Sequence, residues 1–249
     1  MSGHNKWSSI KHKKGAADAK RGRIFTKYIK DITVAAREGG GDVDSNPSLR
    51  VAISGAKSVN MPAANIERAI KKGTGELEGV KYDEYTYEGY GHNGVAILVE
   101  ALSDNKQRTV SDVRHAFTKF GGNLAESGAV SWMFNKMGMI VIPNEGQDED
   151  EVMMDALDAG AEDVETEEEG FMIYTPYTEL HSVMMKLEEK EYTIEKAELT
   201  MIPKNLINVD KVAEKLLRLL DFLEDLDDVQ KVYANYEISD EVFERLSKE

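Results

Sequence analysis

No cysteine occurs in the 249 residues. This excludes disulfides and thiolate metal ligands, and with them the stapled frameworks of small secreted domains, so a reducing cytoplasm is the expected setting. Long apolar runs are missing as well. Nothing approaches the roughly 20 residues a membrane helix needs, and the N-terminus has no apolar core of the signal-peptide kind, so no membrane partner is expected. Catalytic signatures are equally scarce: there is no phosphate-binding Walker loop, no nucleophile elbow and no HExxH. The five histidines, His4, His12, His92, His115 and His181, lack metal-ligand spacing. One GxGxxG string, Gly89 to Gly94, precedes the apolar run Val95 to Val99 instead of linking a strand to a helix, which is the wrong context for a dinucleotide site. A non-enzymatic protein with no cofactor and no metal is expected.

Cations are in short supply over most of the chain. Residues 82–249 hold 15 Lys or Arg against 38 Asp or Glu, whereas residues 1–81 hold 16 against 8, a net of +8 in a protein whose formal charge is −15. The densest basic stretch is Ser2 to Lys30, with Lys6, Lys11, Lys13, Lys14, Lys20, Arg21, Arg23, Lys27 and Lys30 against the single acid Asp18. Clustered cations on an acidic protein form an electrostatic footprint for phosphate, because each neutralised phosphate releases condensed counterions. Lys6, Trp7, Lys11, His12, Lys13, Lys14, Lys20, Arg21, Arg23, Lys27 and Lys30 are therefore the candidate nucleic-acid-binding residues. Trp7, between Lys6 and Lys11, suits stacking on an exposed base or anchors the segment to its own domain.

Periodicity organises the rest. Met1 to Gly15 reads as an extended, mobile arm, since it has glycines, paired serines and no apolar repeat. From Ala16, the recurrence of Ile24, Tyr28, Ile32 and Ala36 makes an amphipathic helix that Gly39 to Gly41 end. A second helix opens at Asn46 with Pro47 in its first position, and a third begins near Asn60 and stops at Gly73. Three short amphipathic helices bury their stripes most simply as a bundle. A tyrosine-rich strand follows Gly79, then a buried strand over Val95 to Leu102 and a helix over Asp104 to Phe120. The start of that helix, Asn105 to Thr109, reads either as an anion site or as a capped, solvated end. Asn123 to Phe134 reads as another strand region.

Met139 to Ile142, Glu149 to Ala159, Asp163 to Thr166, Phe171 to Thr175, Thr178 to Glu189 and Ile194 to Ile202 run βαββαβ, the ferredoxin-like order. A final helix over Val209 to Leu226 and strand over Val229 to Ile238 have no partners of their own and are expected to rejoin the Val95 to Phe134 unit. The fold class is α+β and multidomain: a basic helical domain over 1–79, a discontinuous α+β domain over 80–136 plus 205–249, and an inserted ferredoxin-like domain over 137–204.

The strings GHNKWSSIKHKKGAADAKRGRIFTK, NPSLRVAISGAKSVNMPAANIERAIKKGTG and YEGYGHNGVAILVEALSDNKQRTVSDVRHAFTKFGGNL resemble the YebC/PmpR family, which includes mitochondrial translational activators of cytochrome oxidase. Two departures stand out: His92-Asn93 in place of a Pro-Gly pair, and Ala63-Ala64 in place of a Lys-Asp pair. The resemblance implies the same three-domain layout and a DNA-binding transcriptional regulator. A ribosome-associated translation factor that binds structured RNA is the alternative it also implies. The charge split leaves a third reading, a scaffold whose acidic body docks the ribosome or other basic proteins. The oligomeric state is unread.

Overall fold

The structure, a computed structural model, describes residues 18–167 and 170–248. The chain divides into two compact units, Met1–Phe134 with Pro203–Glu249, and Asn135–Ile202. Helices and several sheets are mixed throughout, so the α+β, multidomain class holds.

The first unit begins with three helices, α1 (Asp18–Gly39), α2 (Pro47–Ser58) and α3 (Ala63–Gly73). Their stripes meet as expected, with Ile32, Ala36, Leu49, Ile53, Ala56, Met61, Ile66 and Ala69 forming a buried core. Asn46 sets the joint between α1 and α2. Its carbonyl oxygen accepts from Leu49 N at 3.0 Å, and its amide nitrogen donates to the carbonyls of Ala35 and Gly40 at 2.8 Å each. One side chain thus satisfies orphan groups at the end of one helix and the start of the next. The third helix starts later than the reading from Asn60. Asn60 adopts φ 59°, in the left-handed region that asparagine tolerates, and Met61 N still bonds back to Ala56 O at 3.0 Å, so the new helix begins after Pro62. Gly73 lets α3 lie against α1: a Cβ there would meet Thr33 O at 2.4 Å and Ala36 Cβ at 2.7 Å.

A four-stranded sheet follows in the order β3-β1-β2-β9, from β1 (Asp83–Tyr90), β2 (Ala96–Ser103), β3 (Asn123–Leu124) and β9 (Val229–Ala234). β2 is central and buried at every position except Glu100, which is why it reads as a near-continuous apolar run. The helices α4 (Lys106–Lys119) and α7 (Ala213–Glu224) cover one face, with Ile97, Val99, Val113, Phe117, Leu216, Leu220, Val229 and Tyr236 in the core. β9 pairs antiparallel with β2, so the C-terminal segment does return to this sheet. It is not one strand to Ile238, however. Asn235 breaks it, accepting from Ala96 N at 2.7 Å through its side chain, and the chain switches to a small parallel ribbon of β8 (Ile207–Asn208) and β10 (Tyr236–Glu237). A last helix, α8 (Asp240–Lys248), was not expected from the sequence.

The strand expected over Asn123 to Phe134 is confined to two residues. Beyond Leu124 the backbone amides of Gly128, Val130 and Ser131 turn onto the buried carboxylate of Glu88, at 2.6, 2.6 and 2.8 Å. Those side-chain bonds replace a strand ladder. Burial would raise the Glu88 pKa, but the three amides, with the Ser131 side chain, hold it below the ordinary value. The His92-Asn93 departure keeps its turn, since Asn93 takes φ 57° in a single 3-10 turn, His92–Gly94.

The second unit carries the βαββαβ order as β4 (Phe134–Pro143), α5 (Glu149–Ala159), β5 (Asp163–Glu167), β6 (Gly170–Pro176), α6 (Leu180–Glu189) and β7 (Lys196–Pro203). The strand order β5-β6-β4-β7 is that of a ferredoxin-like sheet. Ile140 pairs with Ile173, and Val164 with Ile173 from the other side. Ile140, Ile142, Val152, Ala156, Phe171, Ile173, Val183 and Leu187 make a core of its own.

Candidate nucleic-acid interface

The predicted interface residues separate into three groups. Lys6, Trp7, Lys11, His12, Lys13 and Lys14 lie outside the described residues. Lys20 and Arg21 lie in α1 by their backbone, with side chains outside the description, and Arg23 is half-buried and makes no ion pair among the described residues. Lys27 and Lys30 turn inward. Lys27 Nζ donates to Glu224 O at 2.7 Å, capping a carbonyl at the end of α7 where helix acceptors lack intrahelical donors and a cation suits the dipole. Lys30 is only 5 % exposed, and its ammonium donates to Leu102 O at 3.1 Å, Asp227 O at 2.9 Å and Asp228 Oδ1 at 2.8 Å. All three of its N–H donors are consumed inside the fold. Periodicity missed this because the residues at positions 23, 27 and 30 share a helix face that reads as polar, whether its partner is water or another carboxylate.

Asp228 is the hub of that contact. Its Oδ2 accepts from Arg108 Nε and Nη2 at 3.2 and 2.8 Å, and lies 3.0 and 2.9 Å from the hydroxyls of Ser103 and Thr109. The helix start at Asn105 to Thr109, read as an anion site or a capped end, is both. Asn105 caps it by accepting from Arg108 N at 3.1 Å, and the anion it receives is the protein's own carboxylate. Desolvation would raise the Asp228 pKa, but Lys30, Arg108 and Thr109 bring it down to about 2. The hub floors a cleft of about 660 Å³ whose walls include Arg23, Tyr82, Asp104, Asp112, Asp225 and Asp227. Carboxylates outnumber cations there, so the cleft is a poor phosphate site.

Beside Lys30, Asp31 has the opposite character. It is half-buried, and desolvation raises its pKa to about 6 against the attraction of Lys231 and Lys27, with Glu100 and Glu84 adding to the rise. A raised carboxyl pKa costs native stability once the group ionises, so the cost appears as pH climbs through about 6 and is absent below 3.8. Asp31→Asn is expected to stabilise the protein by roughly 1–2 kcal/mol at pH 8 and to leave it unchanged near pH 4. Urea titrations at the two pH values measure this, and equal midpoints at pH 8 would refute it.

A second set of cations escaped the sequence reading. Arg50 and Lys57, seven residues apart on α2, and Arg68, Lys71 and Lys72, three or four apart on α3, make no ion pair among the described residues, and all but the half-buried Arg50 are exposed. Their signal was present in the same spacing arithmetic that found the apolar stripes. Charge over the two units is sharply uneven. Asn135–Ile202 holds 4 Lys, no Arg and 19 Asp or Glu, a net of −15 that equals the formal charge of the whole protein. The first unit is therefore balanced overall, with its positive part in residues 1–81. Among the described residues no cluster of His, Asp or Glu is arranged to hold a metal, and no helix is long and apolar enough to cross a membrane.

Residues 5–76 match the family model described as the TACO1/YebC protein N-terminal domain, and residues 82–236 match that of the TACO1/YebC second and third domain. A protein of Syntrophobacter fumaroxidans named "Probable transcriptional regulatory protein" is 56 % identical, over 99 % of this chain and 100 % of the relative. One from Desulforapulum autotrophicum, named in the same way, is 58 % identical over 99 % and 100 %. A solved structure of a conserved hypothetical protein from Aquifex aeolicus superposes with a TM-score of 0.82 at 50 % identity, covering 90 % of this chain and 93 % of that one.

Proposed function

Given that this chain belongs to the TACO1/YebC family, we propose that it is a non-enzymatic regulator that binds nucleic acid through its basic N-terminal region, residues 1–79, and acts on DNA as a transcriptional regulator in the cytoplasm. The observation that carries this reading is the separation of charge. The net negative charge of the protein resides in Asn135–Ile202, while residues 1–81 keep a net of +8. Residues 80–136 with 205–249 form the domain that anchors α1 through Glu224 and Asp228, and 137–204 form the acidic, ferredoxin-like domain. The contacting groups are Lys6, Lys11, Lys13, Lys14, Lys20, Arg21 and Arg23, with Trp7 and His12 beside them, joined by Arg50, Lys57, Arg68, Lys71 and Lys72. Lys27 and Lys30 are left out, since their ammonium groups are bonded within the fold. The names borne by the relatives support regulation.

One feature favours a second reading, a translation factor on structured RNA. Phosphate contacts position a protein, and base contacts specify its sequence. The face of α1 that carries Lys27 and Lys30 is spent on Glu224 and Asp228, so it does not lie along a groove. The segment before Asp18 then dominates recognition, and such a segment suits an RNA-lined cavity. Co-sedimentation with ribosomes, run beside a duplex-DNA titration at physiological ionic strength, separates the two. DNA binding that is tight and sequence-dependent, without ribosome pelleting, is expected for the transcriptional reading. Ribosome pelleting with weak, sequence-blind DNA binding overturns it in favour of RNA.

A further inference from the structure

The second unit presents a helix face that its own fold does not use. α5 buries Val152, Ala156 and Ala159 against the sheet. On its other side Met154 and Leu157 stand 64 % and 48 % exposed. Residues three and four apart on a helix are neighbours, so exposed Asp150 and Glu151 lie one turn before this apolar pair, and Asp158 lies beside it at the far end. The stripe runs carboxylate, apolar, apolar, carboxylate over about 12 Å of helix.

Three further observations bear on what covers it. The four lysines of the unit are already engaged: Lys136 sits 5.7 Å from the Tyr177 ring, Lys186 donates to Ala159 O at 2.9 Å, Lys190 pairs with Asp155, and Lys196 with Glu198 at 2.6 Å. Asp150, Glu151 and Asp158 make no ion pair among the described residues. The last turn of α5 also breaks a local rule. It carries Asp158 and no basic residue of its own, although the helix dipole favours cations there. Lys186 supplies a cation to the last carbonyl and Lys190 answers Asp155, which leaves Asp158 as the exposed carboxylate of that turn without an ion pair among the described residues. Finally, a net charge of −15 within the unit repels nucleic acid and steers cationic partners.

We propose that the outer face of α5 docks a basic amphipathic helix of another protein, seating a large apolar side chain on Met154 and Leu157 between cations that meet Asp150 or Glu151 at one end and Asp158 at the other. Cations seven or eight residues apart on the incoming helix span the same distance as the two acidic ends, and an apolar residue midway between them falls on the pair. Methionine suits this role because its unbranched thioether adapts to differently shaped partners.

The test uses the full chain and two fluorescein-labelled peptides of about 15 residues, long enough to form a helix. One is an amphipathic Lys/Leu helix, and the other has the same composition with the periodicity scrambled. Anisotropy titrations at physiological ionic strength are expected to show the amphipathic peptide binding about tenfold more tightly, equivalent to about 1.4 kcal/mol. The double variant Met154→Ser with Leu157→Ser is expected to erase that difference while leaving the thermal melt unchanged, since both side chains are exposed. Asp158→Asn is expected to weaken the amphipathic peptide alone. Equal binding of the two peptides, or a preference that survives the double variant, overturns the proposal. So does sedimentation showing that copies of the chain associate without peptide and come apart in the double variant, because the face would then belong to self-association.

Discussion

Asp228→Ala is expected to lower the melting temperature by about 10 °C, the largest effect of any single substitution outside the apolar cores. The carboxylate is buried and engages Lys30, Ser103, Arg108 and Thr109. Removing it leaves the Lys30 ammonium in a site that is 5 % exposed, with two carbonyls and the Tyr82 ring but no anion paired with it among the described residues. Breaking a buried pair from one side costs about 3–5 kcal/mol, because the remaining charge keeps its desolvation penalty without its partner. Replacing both ends, Asp228→Leu with Lys30→Met, is expected to recover much of the loss. The pH dependence follows from the depressed pKa. A carboxyl at about 2 in the native state and near 3.8 unfolded contributes stability that is complete above the unfolded value and is lost as pH falls through about 2. Calorimetry of the single and double variants at pH 7 checks the prediction, and a single variant that melts within a degree of the parent contradicts it.

The largest functional effect is expected from reversing charge at Lys13, Lys14, Arg21 and Arg23 together. Each phosphate neutralised contributes about 0.9 to the slope of log affinity against log salt, so a variant lacking four such contacts is expected to lose about 3 to 4 from that slope and at least tenfold in affinity near 0.15 M salt. Arg23 makes no ion pair among the described residues but lines the carboxylate-rich cleft, so a thermal melt of the variant is run beside the binding series to show that its fold is kept. Reversing Lys27 or Lys30 instead would confound the measurement with unfolding, because both hold α1 to the Glu224 to Asp228 turn. Filter binding or anisotropy across a salt series, with DNA and with ribosomal RNA, reads out both quantities. A slope and affinity equal to those of the parent would remove the N-terminal cations from the interface.

The elements were legible wherever local physics fixes them. Asn46 and Pro47 mark the start of α2 as a cap and a preset φ, the runs at Val95 and Met139 mark buried strands, and the alternation of elements after Phe134 spells out the ferredoxin-like order. Boundaries failed where a distant group competes with the local pattern. Glu88 draws the amides of Gly128, Val130 and Ser131 out of a strand 40 residues away, and Asn235 ends one strand by bonding to Ala96. The same limit applies to Ser2 to Lys30. Sequence alone determined that its cations are many and clustered, and that those from Lys20 onward sit on a helix that starts near Ala16, because composition and 3.6-residue periodicity are properties of a local stretch. Only the tertiary structure decided that Lys27 and Lys30 face carbonyls and a carboxylate 197 and 198 residues away. A charged side chain has one sequence signature whether it meets solvent, phosphate or a buried acid. The partner is chosen by packing, which brings α1 against the end of α7.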